Sequence, residues 1–520
     1  MNQTLPDPNR WKALAIVGAA FLMTVLDISI VNVALPTIGE ELEFSQENLQ
    51  WVVTAYAITF GGFLLLGGRA ADLLGRRVVF LVGVGVFVLA SLACGLAQSE
   101  GFLIAMRGIQ GIGGAIIAPA ALSIVSTAFP EGAERNKALG VWGALGGSGA
   151  AIGVILGGFL TKYAGWEWIF FVNIPIGAVV IMATPFFVRE SRVEVDKRRY
   201  DPLGAFTVTG SIVLLVYAIS KAPDVGWGSA RTIGFLIASA ALLGLFVFIE
   251  SRVAAPLMPL QIWRLRTVTT ANVVGVVVGA VMFSTFFLLT LYAQEVLRYS
   301  SLQTGIAMLA TALTAVVFAG VAEVLVTRTG PKYVMVAGLT AMGVGLVWFA
   351  QIPVDGVYFE NLFGPLVLIG VGTGFSFVPI SILALAGVSE HDTGLASGLM
   401  NTTQQVGGAV GLAVAATIFS TRLTNELPGL LRQGVPQELA TAQAMVSGFT
   451  LAYWTLAIVA FVGVALTFAL LHGVKAAHEP VAEHVETHVV SSFAPNRAAT
   501  GAISILIFGD DSSKTPPSPS

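Results

Sequence analysis

Long apolar runs separated by short polar segments dominate this chain. About 20 apolar residues suffice to cross the roughly 30 Å hydrocarbon core of a bilayer. Fourteen runs meet that length, which predicts fourteen membrane-spanning helices. They cover residues 13–35, 50–67, 78–97, 101–128, 138–160, 167–188, 202–221, 232–250, 268–293, 302–326, 333–352, 362–387, 396–420 and 446–471.

Composition supports the same class. Hydrophobic residues make up 55% and charged residues 11% of the 520 positions, and the mean hydropathy is +0.83. Soluble domains carry about 25% charged residues, so this chain has too little charge to cover a water-facing surface. We therefore predict an all-α integral membrane protein in contact with the lipid bilayer. The net charge of −3 gives no basic field for nucleic acid, and the single cysteine, Cys94, excludes an internal disulfide.

Lysine and arginine positions orient the helices. Alternate loops hold 18 and 6 of these residues. The richer side is expected to be cytoplasmic, which places both termini inside the cell and the chain in the plasma (inner) membrane. Residues 472–520 are polar and are predicted to form a disordered cytoplasmic tail. His484 and His488 in this tail are four residues apart, but a solvated acidic tail is favoured over a metal site, and no metal is expected.

The chain repeats itself at an offset of 255–258 residues. Two sets of positions carry the match: Gly75 with Gly330 and Arg77 with Lys332, then Gly140, Gly149, Gly153 and Gly157 with Gly398, Gly407, Gly411 and Ala415. The repeat predicts two six-span halves, residues 1–188 and 268–471, around a two-span insert, residues 189–267. Two similar halves facing each other suit alternating access to a midplane site.

Asp27 is the ionisable residue of the first span. A charge at the centre of a span costs about 3 kcal/mol on insertion scales, and such residues are functional by default. Asp27 lies about eight residues, or roughly 12 Å, from the predicted outer end of its span. Arg107 lies about six residues, or roughly 9 Å, into the fourth span from the same side. The two side chains are therefore at comparable depth.

Two glycine patterns are candidates for a conformational gate. In the segment 68–77, Gly68 and Gly75 bracket a predicted tight reversal, and Asp72 faces Arg76 and Arg77 across it. Opposite charges there are suited to latch two helices together; a basic loop that only sets topology is the alternative. In the fifth span, Gly149, Gly153 and Gly157 share one helix face, which suits either a sliding contact or plain tight packing.

Other polar residues within spans are weaker candidates for a substrate cavity. Each alone is more often a helix–helix hydrogen bond than a ligand contact. They are Asn32, Gln110, Asn401, Gln404, Gln405 and Glu323.

Four motifs resemble those of one transporter family. GRAADLLGRR (68–77) and RGIQGIGG (107–114) resemble loop and fourth-span signatures of the major facilitator superfamily. LDISIVNVALP (26–36) and WEWIFFVNIP (166–175) resemble first-span and sixth-span signatures of its fourteen-span drug:proton antiporters, the EmrB/QacA-type group. Val154 departs from this group, which has proline there, and so does Glu167, where arginine is usual.

The resemblance implies a function and a site. In the superfamily arrangement, the first and fourth spans border the central cavity, so Asp27 and Arg107 are expected to pair. Burial disfavours a charged carboxylate and a nearby arginine favours it, so a change of pairing would change the proton affinity of Asp27. The implied function is proton-driven efflux of hydrophobic, cationic small molecules, with no cofactor other than the proton gradient, by a monomer. A fixed buried ion pair is the structural alternative.

Other functions remain open at this point. Without the proline at 154, the chain is also compatible with import, or with transport of a specific metabolite or lipid. A membrane-embedded enzyme is disfavoured because the intramembrane acids are isolated, and no catalytic residue is assigned. The chain has no phosphate-binding G-x-x-x-x-G-K-[ST] loop, so ATP hydrolysis is not expected.

Overall fold

The computed structural model describes residues 8–44, 46–49, 51–130, 132–191, 201–253, 256–389 and 392–471. The predicted tail, residues 472–520, lies outside them. Sixteen α-helices account for most of the described residues: α1 Arg10–Glu41, α2 Gln46–Leu49, α3 Trp51–Leu74, α4 Arg76–Gly95, α5 Glu100–Ala128, α6 Ala133–Tyr163, α7 Trp168–Phe171, α8 Asn173–Phe187, α9 Pro202–Val225, α10 Ala230–Glu250, α11 Arg266–Leu291, α12 Ser301–Thr329, α13 Pro331–Phe349, α14 Phe363–Leu385, α15 Thr393–Arg432 and α16 Gln437–Leu470.

The predicted all-α membrane class is confirmed. Thirteen segments of the described chain are helical, long and apolar enough to cross a bilayer, and α7 and α8 together form one of them. The remaining predicted span lies in α6, a helix of 31 residues whose apolar part is the shorter segment Ile152–Tyr163. The many glycines of α6 lower its hydropathy without preventing the helix, because its packing against neighbours compensates for their flexibility.

Several helices extend beyond the apolar runs that predicted them. The first span was predicted to end at residue 35, but α1 continues to Glu41. The span predicted at 396–420 belongs to α15, which has 40 residues and continues to Arg432. An apolar run marks only the part of a helix in hydrocarbon, whereas polar extensions form their own contacts, as Arg422 and Glu426 do across one turn of α15.

The glycine repeat corresponds to a repeated helix contact. The glycine face of α6 packs on α1, where a Cβ on Gly153 would lie 2.9 Å from the carbonyl oxygen of Leu26. The same face of α15 packs on α11, where a Cβ on Gly411 would lie 2.5 Å from the Cα of Ala280. Small residues let the two backbones of each pair approach closely. Leu26 and Ala280 therefore take comparable places in the two contacts, and α11, unlike α1, contains no aspartate or glutamate along its membrane-spanning length.

The two-helix insert lies over one seam between the halves. Helix α9 packs against both α3 and α15. Gly61 and Gly62 of α3 admit Val216 and Val213 of α9, and the rings of Trp51 and Tyr217 stack at 5.8 Å between centroids. Just after α9, the indole nitrogen of Trp227 donates to the Thr417 hydroxyl of α15 at 2.8 Å. The insert thus contacts both predicted halves.

The α1–α6 contact makes Gly153 intolerant of a side chain. We expect Gly153→Ala to destabilise the protein by about 1–3 kcal/mol, because the added methyl group meets backbone and the Ser29 hydroxyl. Gly158→Ala is the matched control, since its Cβ would lie 3.9 Å from the nearest atoms, those of Leu302. Thermal melting of the purified protein in detergent measures both. Equal melting temperatures for the two variants would contradict this packing.

Candidate functional site

Asp27 and Arg107 are in direct contact inside the helix bundle. Asp27 lies on α1 and Arg107 on α5, and their side chains are 0% and 1% exposed. The Nη1 atom of Arg107 donates to Oδ2 of Asp27 at 2.6 Å. At this distance and depth, each charge offsets the desolvation cost of the other. The sequence predicted this pairing from depth along two helices and the family resemblance.

Three side chains from two helices donate to the Asp27 carboxylate. Besides Arg107, Gln110 donates from Nε2 to Oδ1 at 2.8 Å, and Asn173 of α8 donates from Nδ2 to the same oxygen at 3.2 Å. Asn173 is itself hydrogen-bonded to the hydroxyl of Ser91 on α4 at 3.0 Å. Both oxygens of the Asp27 side chain thus accept hydrogen bonds from neighbouring helices.

The guanidinium group of Arg107 is fixed on its other sides. Its Nε donates to the carbonyl oxygen of Val52 on α3 at 2.9 Å, and its Nη1 also donates to Oε1 of Gln110 at 2.7 Å. The cation lies 4.4 Å from the ring centroid of Tyr56, a cation–π contact. Gly111 permits this arrangement, because a side chain there would meet the backbone of Tyr56. The RGIQG segment therefore supplies the cation, the amide and the close helix contact together.

The buried thiol of Cys94 borders the same cluster. Its Sγ lies 3.7 Å from Oε1 of Gln110, as a weak donor to that amide oxygen. Cys94 on α4 is 0% exposed.

The other candidate cavity residues do not join Asp27. Among the described residues, no hydrogen bond connects any of the five to it. Asn32 and Asn401 each donate to a carbonyl oxygen one turn back in their own helix. Gln404 faces Gly275 on α11, Gln405 faces Gly61 on α3, and Glu323 of α12 faces Gly140 on α6. Adjacent residues on a helix diverge by about 100°, so Gln404 and Gln405 contact different neighbours.

A second polar cluster joins the two predicted halves at the end of the bundle where α1 begins and α16 ends. We call this end the latch end, and the cluster formed by Asp72, Arg76 and the start of α15 the latch. The Asp72 carboxylate accepts from the backbone nitrogens of Gly394 and Leu395, both at 3.0 Å. It thereby satisfies free N–H groups at the N-terminus of α15, where a negative charge is also favoured by the helix dipole.

Arg76 completes the latch. Its Nη2 lies 3.3 Å from Oδ1 of Asp72 and donates to the Thr393 hydroxyl at 2.9 Å. Its Nη1 donates to the Ser191 hydroxyl at 2.5 Å. Both Asp72 and Arg76 are almost fully buried. Nearby, Arg69 pairs with Asp392 at 3.0 Å. The latch holds the two halves together at this end through charged groups that are shielded from water.

The glycines of segment 68–77 have separate roles. Gly75 has φ +109° and connects α3 to α4, and its repeat partner Gly330 has φ +83° between α12 and α13, so both occupy backbone positions suited to glycine. The expectation that Gly68 brackets the reversal is wrong. Gly68 lies within α3, where its backbone touches that of Gly394 across the latch. Arg77 lies outside the latch, 3.8 Å from Glu190.

Sequence reasoning missed several residues of both clusters. Asn173 lay within the motif at 166–175, but nothing local indicated that it would meet Asp27. Ser91, Thr393 and Ser191 are ordinary hydroxyl residues whose roles depend on contacts 79–317 positions away along the chain. A polar side chain in an apolar run is the one signal that would have selected Asn173 and Ser91.

Helix α6 links the Asp27 helix to the opposite half. Its glycine face contacts α1, as described above. On another side, Val154 packs on Gly305 of α12, with 2.7 Å between the Val154 Cγ1 and a Cβ on Gly305. Helix α6 runs without interruption through Val154.

Comparisons with known proteins agree on one family. The model of the Major Facilitator Superfamily matches residues 17–412. The puromycin resistance protein pur8 of Streptomyces alboniger is 38% identical over 470 residues, which is 90% of this chain and 91% of that protein. The cephamycin export protein CmcT of Amycolatopsis lactamdurans is 37% identical over 432 residues, 82% of this chain and 87% of that protein.

The fold also has a solved relative. The human organic anion transporter MFSD10 (TETRAN) superposes with a TM-score of 0.62 at 16% identity, covering 88% of this chain and all of that one. At this identity the likeness concerns the fold alone.

Because Asp27 and Arg107 form a buried ion pair, we expect mutations of the two residues to have strongly non-additive effects on stability. We expect Arg107→Met to destabilise the protein by about 3–5 kcal/mol, because it strands the Asp27 carboxylate without its cation. The loss should shrink as the pH falls, since a proton neutralises the stranded carboxylate. Asp27→Leu with Arg107→Met should regain most of the stability. Thermal melting of the single and double variants tests this, and costs that simply add would show that the two charges are not coupled.

The latch predicts a measurable opening at its end of the bundle. Spin labels on cysteines replacing the exposed Leu74 and Tyr333 report the separation of the two halves there. We expect Asp72→Ala to lower the ratio of latched to open molecules at least tenfold, because each hydrogen bond to a charged group contributes about 1.5–3 kcal/mol. Glu426→Ala, which removes only the partly exposed pair with Arg422 within α15, is the control. Indistinguishable distance distributions for Asp72→Ala and the unmutated protein would refute the latch.

Proposed function

The chain belongs to the Major Facilitator Superfamily, and from this membership and the buried Asp27 cluster we propose that it is a proton-driven exporter of hydrophobic, cationic small molecules. The single observation that carries the proposal is a fully buried carboxylate held by Arg107, Gln110 and Asn173. The donors come from α5 and α8 and the carboxylate from α1, so a movement of any of these helices would change the hydrogen bonds of Asp27. The proton gradient would supply the energy, with no bound cofactor.

The coupling step follows from competition for one carboxylate. In the conformation described, Asp27 is paired with Arg107. A proton arriving at Oδ1 or Oδ2 neutralises the carboxylate and weakens its hold on the arginine. A cationic cargo molecule favours the ionised carboxylate instead. Proton and cargo therefore exclude each other, which is the requirement for antiport.

Movement of the halves is proposed to reach Asp27 through α6. Because Val154 of α6 packs on Gly305 and the α6 glycines pack on α1, rocking of the C-terminal half displaces the helix that carries Asp27. The latch end corresponds to the predicted cytoplasmic side, where both described termini lie. The conformation with the latch formed would then be closed to the cytoplasm, and Asp27 would exchange protons with the outside.

The direction and cargo are proposed from relatives. Those named for puromycin resistance and cephamycin export support export of drug-like organic molecules rather than import. The multidrug resistance protein Stp of Mycobacterium tuberculosis, 34% identical over 440 residues, supports a broad substrate range. We further propose that the protein acts as a monomer in the plasma membrane with both termini in the cytoplasm.

The test is gradient-driven efflux from vesicles containing the purified protein. We expect Asp27→Asn to abolish transport of a cationic dye driven by an imposed pH gradient, and to abolish the proton release that accompanies dye binding. The unmutated protein should transport without ATP. Glu360→Gln, which alters an exposed carboxylate, is the matched control and should transport normally. Efflux that persists in Asp27→Asn at the rate of the control would refute the proposed coupling.

A further inference from the structure

A pair of buried carboxyl groups lies in the insert, away from the Asp27 cluster. Asp201 precedes the first residue of α9 and Glu250 is the last residue of α10, and they are 8% and 5% exposed. Both lie against Gly204: a Cβ there would meet Oδ2 of Asp201 and would lie 2.8 Å from Oε1 of Glu250. The two side chains are close enough to share a hydrogen bond.

One oxygen of each carboxyl group is already used. Oδ1 of Asp201 accepts from the backbone nitrogen of Gly204 at 2.8 Å, and Oε2 of Glu250 accepts from that of Met258 at 3.2 Å. The other two oxygens, Oδ2 of Asp201 and Oε1 of Glu250, are buried and receive no hydrogen bond from a donor in the described part of the chain. Two ionised carboxylates cannot face each other in this way without strong repulsion, whereas one proton between the free oxygens satisfies both.

The described cations around the pair are engaged elsewhere. Just after α10, the guanidinium group of Arg252 lies over the Phe248 ring at 5.2 Å from its centroid. On α3, Arg69 pairs with Asp392 next to the first residue of α15. On that side Asp72 is bound to Arg76 and to the N-terminus of α15. A proton is therefore the ligand that suits the two free oxygens.

The pair is connected to the latch end through a short backbone path. Met258 donates to Glu250, and two residues earlier the carbonyl oxygen of Pro256 accepts from Nη2 of Arg69 at 3.3 Å. The same arginine binds Asp392 from its Nη1 atom. A displacement of the segment around residues 256–258 therefore alters a contact that joins α3 to the start of α15.

We propose that Asp201 and Glu250 form a second proton-binding site, which holds one proton between the two carboxyl groups and opens the latch end when that proton is lost. Loss of the proton to water leaves two facing carboxylates. Their repulsion separates the start of α9 from the end of α10 and displaces the Pro256–Met258 segment, which weakens the Arg69–Asp392 contact. An alkaline interior would thus favour the conformation that loads cargo, a consequence that rests on the proposed function.

The proton itself is detected by infrared difference spectroscopy of the full chain in lipid nanodiscs. A pH step should show the carbonyl stretch of a protonated carboxyl group. We expect Glu250→Gln to remove this band, and Glu360→Gln to leave it. Asp201→Asn, whose side chain retains an acceptor for the Gly204 nitrogen, should remove the band as well and serves if Glu250→Gln does not fold. A band unchanged in both variants would overturn the proton-binding site.

The link to the latch is tested with the spin labels at positions 74 and 333. In the otherwise unmutated protein, the ratio of latched to open molecules should fall roughly tenfold as the pH rises through the titration of the pair, within the usual range of coupling between sites. In Glu250→Gln the amide donates to Asp201 at every pH, so the latched fraction should stay constant. A pH dependence as steep as in the unmutated protein would overturn the link.

The outcome is separable from that of the proposed function. In Asp27→Asn, the infrared band and the pH dependence of the latch should persist, because Asp201 and Glu250 are intact. Loss of efflux in Asp27→Asn together with an unchanged band in Glu250→Gln would refute the second site alone. Efflux that survives Asp27→Asn, with the band lost in Glu250→Gln, would refute only the coupling at Asp27.

Discussion

The burial of one carboxylate opposite one guanidinium group organises the first half of this protein. A lone charge in a hydrocarbon-like interior is expensive, so Asp27 must be placed where donors surround it, and Arg107 where acceptors do. That requirement fixes the contact of α1 with α5, draws in Asn173 from α8, and brings Val52 and Tyr56 of α3 against the cation. The ion pair and hydrogen bonds of these two side chains thus position four membrane-spanning helices.

The two predicted halves share the same helix contact but not the same buried side chains. Glycine faces on α6 and α15 bring α1 and α11 to the same close distance, so the packing obeys the repeat. Helix α11, which takes the place of α1 in the second contact, contains no aspartate or glutamate, however. The buried carboxylate of α1 therefore has no counterpart in α11. The latch shows the same division, because its charged side chains come from α3 and α4, whereas the N-terminus of α15 donates backbone hydrogen bonds to Asp72.

Sequence patterns predicted the features that depend on local or composition-wide physics. Apolar runs predicted the all-α membrane class, and positive φ at Gly75 and Gly330 agrees with the repeat found in the loops. The depth of Asp27 and Arg107 along oppositely directed helices, with the resemblance, predicted their meeting. The sequence could not predict that Gly68 would touch Gly394, or that Asp72 would bind the N-terminus of α15. These contacts depend on how helices more than 300 positions apart along the chain pack together, for which no local pattern exists. Helix ends such as Arg432 were missed because hydropathy marks only the part of a helix that lies in lipid.

The position of the insert has a consequence for how hydrophobic molecules in the bilayer meet the protein. Because α9 packs against both α3 and α15, it covers the boundary between these two helices. The stacked rings of Trp51 and Tyr217 lie at the end of this boundary away from the latch. At the opposite boundary α6 and α12 pack directly on each other, and no described helix of the insert covers them. A compound dissolved in the surrounding acyl chains therefore meets an asymmetric protein, in which α9 stands in front of the junction of α3 with α15.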